Sequence, residues 1–253
     1  MRPAGVVAGK VLDEIAAFIK PGITTRQVDE FAAERILSYG GKSAFLGYVV
    51  AGLKYPCHTC LSENEAEVHG LASDRELKFG DIISIDVGVA YNGFIGDTAR
   101  TVAVGGCSVV AQRLMDVTEQ SLYLGIAQAK PGNRIVDISS AVQRHVEDNG
   151  FSVVREFVGH GVGRTMHEPP QVPNFDDTRG RRNDSPKLKP GMTIAIEPMV
   201  NVGRAEIKSL KDGWTWVTRD GSLSAHFEHT VLVTEGEPEI LTWAKMPSVL
   251  KPA

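Results

Sequence analysis

The chain has 253 residues, 42% of them apolar and 23% charged, with a formal net charge of −4. That is enough material for one large core or two modest ones, and it gives no electrostatic footprint for nucleic acid. No stretch approaches the ~20 apolar residues of a membrane span, the opening MRPAG lacks the apolar run of a secretory signal, and three cysteines fit a reducing compartment. The expectation is a cytoplasmic protein with no nucleic-acid or membrane partner.

In chain order, VLDEIAAF from Val11 has helical spacing, Lys20-Pro21-Gly22 breaks it, and Val28, Phe31, Ala32, Arg35 and Ile36 mark a second helix that ends at Gly40, where a C-cap belongs. CHTC, Cys57 to Cys60, resembles half of a zinc site, yet the chain has no second cysteine pair, so the favoured reading is ordinary thiols lining a loop or pocket. His69 follows in NEAEVHG; taken singly, a histidine is as readily a core residue as a functional one.

KFGDIISID, Lys78 to Asp86, reads as a strand entered through a Gly turn and ended by a carboxylate. Beyond it, Asn92-Gly93 is the strongest short hairpin signal. With those two as the loop, Tyr91 faces Phe94 and Gly88 faces Asp97. Asp86 has the parity of Gly88, which puts it on the face of Asp97 one diagonal step away, ~7 to 8 Å at Cα. The flanks Ile82, Ile83, Ile85, Val87, Val89, Phe94 and Ile95 are apolar, so the face is expected to be buried, where unpaired carboxylates are costly. Metal or another cation is the better explanation.

LYLGIA from Leu122, Lys130-Pro131-Gly132, then Ile138, Ala141, Val142, His145 and Val146 to Gly150 repeat the first helix pair at an offset of 110, and KPGMTIAIE, Lys189 to Glu197, repeats KFGDIISID at 111. The chain therefore reads as a duplicated α+β unit, one domain over residues 1–253 with halves about 1–110 and 111–253 around a shared sheet. GHGVGRTMHEPP, Gly159 to Pro170, is too rich in glycine and proline for a helix. His160, in a backbone that glycine lets bend sharply, is a candidate nitrogen ligand, and His167 is free to face a substrate. The polar run Asn174 to Ser185, which includes RGRR from Arg179 to Arg182, is expected to be an exposed, mobile loop. Glu197 and Glu228 stand in β-favouring apolar segments, where a Glu usually has a specific partner. Four carboxylates, Asp86, Asp97, Glu197 and Glu228, would be balanced by two divalent cations, with imidazole accepted by Mn, Fe, Co or Zn.

Val68-His69-Gly70, Asp86 within IDV, Asp97 within GDT, GHGVG followed by His167-Glu168, Glu197 within IEP and Glu228 within FEHT stand in the order and spacing of the methionine aminopeptidases, and the chain resembles their short bacterial or organellar type 1 form. The resemblance implies the pseudo-twofold pita-bread fold and removal of N-terminal methionine from nascent polypeptides by metal-activated water. It implies Asp86, Asp97, His160, Glu197 and Glu228 as ligands of two divalent ions (Mn, Co, Fe or Zn), with Asp97 and Glu228 bridging and Glu197 also accepting the water's proton. It further implies His69 and His167 facing the substrate, and Cys60, Trp214, Tyr48 and Tyr55 at the methionine pocket. The carbonyls of Asn64 and Ser224 would hold one monovalent cation, Na or K. A monomer working near the ribosome is the matching expectation. Three features depart from the pattern: Met166 stands where an aromatic residue is expected, His226 where Gln is expected, and the loop from Gly47 to Cys60 is longer. An Xaa-Pro aminopeptidase would carry a further N-terminal domain before the first helix pair, and a metal-free binding relative would have lost ligands.

Overall fold

Four α-helices stand among residues 1–243, the part described by the computed structural model: α1 (Arg2–Phe18), α2 (Thr25–Ser38), α3 (Val109–Ile126) and α4 (Ile135–Asp148). Thr24 caps α2 with a reciprocal box, its hydroxyl accepting from Gln27 N while Gln27 Oε1 accepts from Thr24 N. Ser108 caps α3 by accepting from Ala111 N. In both helix pairs a Pro-Gly turn separates the helices, with Gly22 at φ 88° and Gly132 at φ 90°, a conformation that glycine adopts without strain. Single bridges close both turns, Thr24 to Glu76 and Arg134 to Lys187, so pairings recur at the spacing of the sequence repeat.

The larger sheet has nine strands, all paired antiparallel. Its spine runs 42–43, Ile82–Tyr91, Phe94–Ala103, Glu228–Leu232, Thr193–Ile196, Gly159–Gly161 and Glu168–Val172, so strands from both repeats lie in one sheet. Helices α1 and α2 cover Ile83, Ile85, Val87 and Val89 in one core, while α3 and α4 cover Ile194, Ile196 and Val231 in another. Side chains alternate across a strand, so odd positions of Ile82–Tyr91 feed the helix-side core and even positions, Asp86 among them, face away from it.

The Asn92-Gly93 turn forms as read, with Tyr91 opposite Phe94, Gly88 opposite Asp97 and Asp86 opposite Ala99. The first carboxylate does not end its strand, however. Pairing continues through Asp86 to Tyr91, because the hairpin partner extends the ladder. The Asn174–Ser185 segment also differs from expectation. Asn174, Thr178 and Ser185 are buried, with Asn174 Nδ2 donating to Glu197 O at 2.9 Å and Ser185 Oγ accepting from Val136 N at 2.9 Å. Small polar side chains that satisfy neighbouring backbone groups hold both ends of it down. Exposure is confined to its middle, where Arg182 forms a paired contact with Asp137 at 2.6 to 3.1 Å.

Candidate metal centre and adjoining pocket

Register explains how residues far apart in the chain meet. Asp86 pairs with Ala99 and Ala99 with Glu228, so the two carboxylates flank one small side chain in a row across three strands, with Asp97 on the same face one step along. Cys60 extends the row on the other side of Asp86. Ile196 pairs with His229, which brings Glu197, at the end of its strand, level with Glu228. Gly161 pairs with Ile194, and this delivers His160. Gly88 has to be glycine here, since a Cβ would lie 2.7 Å from the ring of Phe45.

The glycines around His160 act differently from the expectation that they bend the chain. Gly159, His160 and Gly161 form a strand, and neither glycine adopts a positive φ. A Cβ at Gly159 would fall 2.3 Å from Ala195 O, and one at Gly161 would fall 2.4 Å from Pro169 O. They permit close packing of backbones, which presses His160 onto the carboxylates.

Oxygens of Asp97 and Glu228 and a nitrogen of His160 all lie within 4.8 Å of one another. His160 Nε2 stands 3.6 Å from Asp97 Oδ2 and 3.5 Å from Glu197 Oε1. Its Nδ1 donates to Gly161 O at 2.9 Å, which fixes the tautomer whose Nε2 lone pair is free for an ion. One oxygen each of Asp86, Asp97, Glu197 and Glu228 is buried without any hydrogen-bond partner. Burial pushes Asp86 up to about 7, and burial together with neighbouring carboxylates holds Asp97, Glu197 and Glu228 well above their ordinary range. Burial also lowers His160 to about 4, so it is neutral near pH 7. Four carboxylates, each with one unpartnered buried oxygen, and one neutral imidazole are a donor set suited to divalent ions, and these would cancel the charge that burial disfavours.

The centre opens into a cavity of about 300 Å³ that all five of these residues line, as do Cys60, Tyr48, Tyr55, Trp214, His69 and His167. Tyr55 packs edge-on against Trp214, with ring centroids 5.0 Å apart, and its hydroxyl donates to Gly70 O. Tyr48 Oη lies 2.6 Å from His167 Nδ1, and the His160 and His167 rings are 4.4 Å apart. His69 holds a left-handed φ of 57° and stacks edge-on with Phe157; burial first and His167 second lower it to about 4. Asn64 and Ser224 lie outside this cavity but beside each other, joined by Ser224 N donating to Asn64 O at 2.8 Å. Cys57 and Cys60 are both free thiols, and Cys60 alone of the pair lines the cavity.

Sequence reasoning missed Phe45, Phe157 and Met199 as lining residues. Met199 lies two positions from Glu197, which is a usable local signal, whereas Phe45 and Phe157 are brought in by tertiary packing alone. Met166 and His226, noted as departures, also line the cavity, and within the Gly47–Cys60 loop Val49–Val50 pairs with Leu53–Lys54 in a small hairpin from which Val50 reaches the cavity.

Comparison with known proteins places this geometry. The methionine aminopeptidase of Clostridium perfringens is 49% identical over 245 residues, 97% of this chain and 95% of that protein. Methionine aminopeptidase 1 of Bacillus subtilis is 48% identical over 96% of this chain and 94% of its own length. Among solved structures, methionine aminopeptidase from Rickettsia prowazekii superposes with a TM-score of 0.90 at 40% identity, covering 96% of this chain and 95% of that one. The fold is thus the pita-bread fold read from the motifs. With a model of metallopeptidase family M24 matching residues 1–235 as well, the chain belongs to that family.

Proposed function

We infer that this chain is a metalloaminopeptidase that removes the N-terminal methionine of polypeptides by hydrolysing the first peptide bond, the activity named for its full-length relatives. The single observation that carries the residue assignment is the convergence of Asp86, Asp97, His160, Glu197 and Glu228 with one unpartnered buried oxygen on each carboxylate. These five would hold two divalent ions; Mn, Co, Fe and Zn all suit the donor set. When bound, the ions would make a water acidic enough to act as a nucleophile near neutral pH and polarise the scissile carbonyl.

The chain's own groups do the rest. Glu197 accepts the water's proton and passes it to the leaving amine. His167, oriented through Nδ1 by the Tyr48 hydroxyl, presents its other nitrogen to the oxygen that gains charge. His69 hydrogen-bonds the scissile amide nitrogen. The carboxylate end of the cavity meets the substrate's free α-amine, which accounts for action at a chain terminus. Tyr48, Tyr55, Trp214 and Cys60 form the largely aromatic end that takes the methionine side chain. The carbonyls of Asn64 and Ser224, residues joined by the Ser224 N–H to Asn64 O bond, would hold a sodium or potassium ion. The two repeats, about 1–110 and 111–253, act as one catalytic domain, and a monomer in the cytoplasm meeting nascent chains near the ribosome fits this reading. No helix among the described residues is long and apolar enough to cross a membrane.

The deciding assay is release of free methionine from a Met-Gly peptide by protein stripped of metal and resupplied with Mn, Co or Fe, beside an Xaa-Pro peptide. Metal-dependent methionine release with the proline substrate intact is the expected result. Cleavage of the proline substrate alone, or of neither with any metal, would overturn the assignment.

A further inference from the structure

His226 has no part in the mechanism above, yet its setting is unusual. It closes the Ser224–His226 strand and is 2% exposed. Thr101 pins its backbone on both sides: the Thr101 hydroxyl accepts from His226 N at 2.9 Å and donates to His226 O at 3.0 Å. The ring is therefore aimed by a fixed main chain. Its Nε2 is buried with no hydrogen-bond partner, and in front of it, 3.8 Å away, stands Glu197 Oε2. The other oxygen of the same carboxylate, Oε1, faces His160 Nε2 at 3.5 Å. Glu197 thus lies between two imidazole nitrogens, one on each oxygen.

A buried histidine is often no more than packing. Packing alone does not require the ring's free nitrogen to point at a carboxylate, and a buried N–H without an acceptor is unfavourable. Closing 3.8 Å to the ~2.9 Å of an N–H···O bond takes a shift of about 1 Å, within reach of a small rotation of either side chain. We propose that His226 is a positioning residue for Glu197, its Nε2–H donating to Oε2 so that the carboxylate keeps Oε1 turned toward the ions and the water. His160 and His226 then have opposite duties on one group: the first leaves a lone pair open for metal, the second supplies a proton to hold the ligand still. Glu197 is the residue for which this matters most, because it sits at the end of its strand, beyond the last ladder pair, and is held on its main-chain side by Asn174.

The proposal rests on the aminopeptidase reading, and the test separates the two. Metal-stripped wild-type protein, His226→Phe (ring kept, N–H lost) and His226→Gln (amide N–H restored) are titrated with Mn(II) by calorimetry and assayed for methionine release. In His226→Phe, the tighter Mn(II) Kd should weaken by roughly 10-fold or more and kcat should fall by a similar factor, as expected for partners of metal ligands, with KM little changed. His226→Gln should recover most of both. His226→Leu serves the same comparison if the Phe variant does not fold. Wild-type Mn(II) binding in His226→Phe, or a loss in His226→Gln as large as in His226→Phe, overturns the proposal. If no variant releases methionine while the Mn(II) titrations still separate Phe from Gln, the aminopeptidase reading fails and the positioning role stands.

Discussion

At one end of the cavity Asp86, Asp97 and Glu228 stand on three neighbouring strands of a nine-stranded sheet, whereas at the other end Tyr48, Tyr55 and Trp214 come from irregular segments. The carboxylate end is locked by ladder pairing. The aromatic end borders the Val49–Val50 hairpin, whose Val49, Val50 and Leu53 are exposed. On the proposed function the difference would divide tasks: groups meant to meet an ion or a proton within a few tenths of an ångström are fixed by backbone pairing, while groups meant to fit a flexible thioether side chain sit on segments that can vary. Changes at the first end should therefore abolish chemistry and changes at the second should alter recognition.

The sharpest test of that division is Asp97→Asn or Glu228→Gln, each of which removes one charge from the centre of the donor set. Mn(II) affinity measured by calorimetry, and methionine release with it, should fall by more than about 100-fold, beyond the range typical for partners outside the ligand set. A variant with wild-type affinity would break the assignment of the carboxylate end. Next comes His167→Ala, at the border between the ends: kcat should drop by roughly 100-fold, the scale for removing one donor to a developing oxyanion, while Mn(II) occupancy stays as in wild type. An unchanged kcat would remove His167 from the mechanism. At the aromatic end Trp214→Ala should raise KM for a Met-Gly peptide by roughly 10-fold with a far smaller change in kcat; the reverse pattern would erase the contrast.

The smallest effect is a pH dependence. Asp86 is pushed up to about 7 by burial, so below that pH the metal-free protein holds a proton there that must leave before an ion can bind. Burial lowers His160 to about 4, so this histidine is already neutral across the same window and does not compete. The rise in Tm on adding Mn(II) should accordingly grow as the pH is raised from about 5 to about 8, because tighter binding to the native state means more stabilisation. A gain that is flat or shrinks over this range in a melting series would show that ion binding displaces no protons from these buried carboxylates.

Much of the arrangement is legible in the sequence. The Asn92-Gly93 dipeptide set the register that puts Asp86 and Asp97 on one face, since a two-residue hairpin loop leaves no freedom in pairing. The 110-residue repeat announced itself in Pro-Gly turns, because glycine at φ near 90° is the residue those turns require at Gly22 and Gly132. The role of the glycines beside His160 was misread for a related reason. Glycine signals both sharp turns and close approach, and only the positions of Ala195 O and Pro169 O distinguish the two here. The Asn174–Ser185 segment was misread as wholly exposed because polar composition does not reveal that Asn174 and Ser185 spend their side chains on buried main-chain groups.

The sequence by itself determined the two helix pairs, the hairpin register and the shared face of Asp86 and Asp97, because those depend on local periodicity and turn chemistry, while the full set of five candidate donors is what the resemblance implies. Tertiary structure alone decided that Glu228 lies beside Ala99, that Tyr48 reaches His167 and that His226 aims at Glu197. Each of these joins residues more than ten positions apart, often more than a hundred, through sheet order and close packing, and no local pattern in the chain encodes which strand will lie beside which.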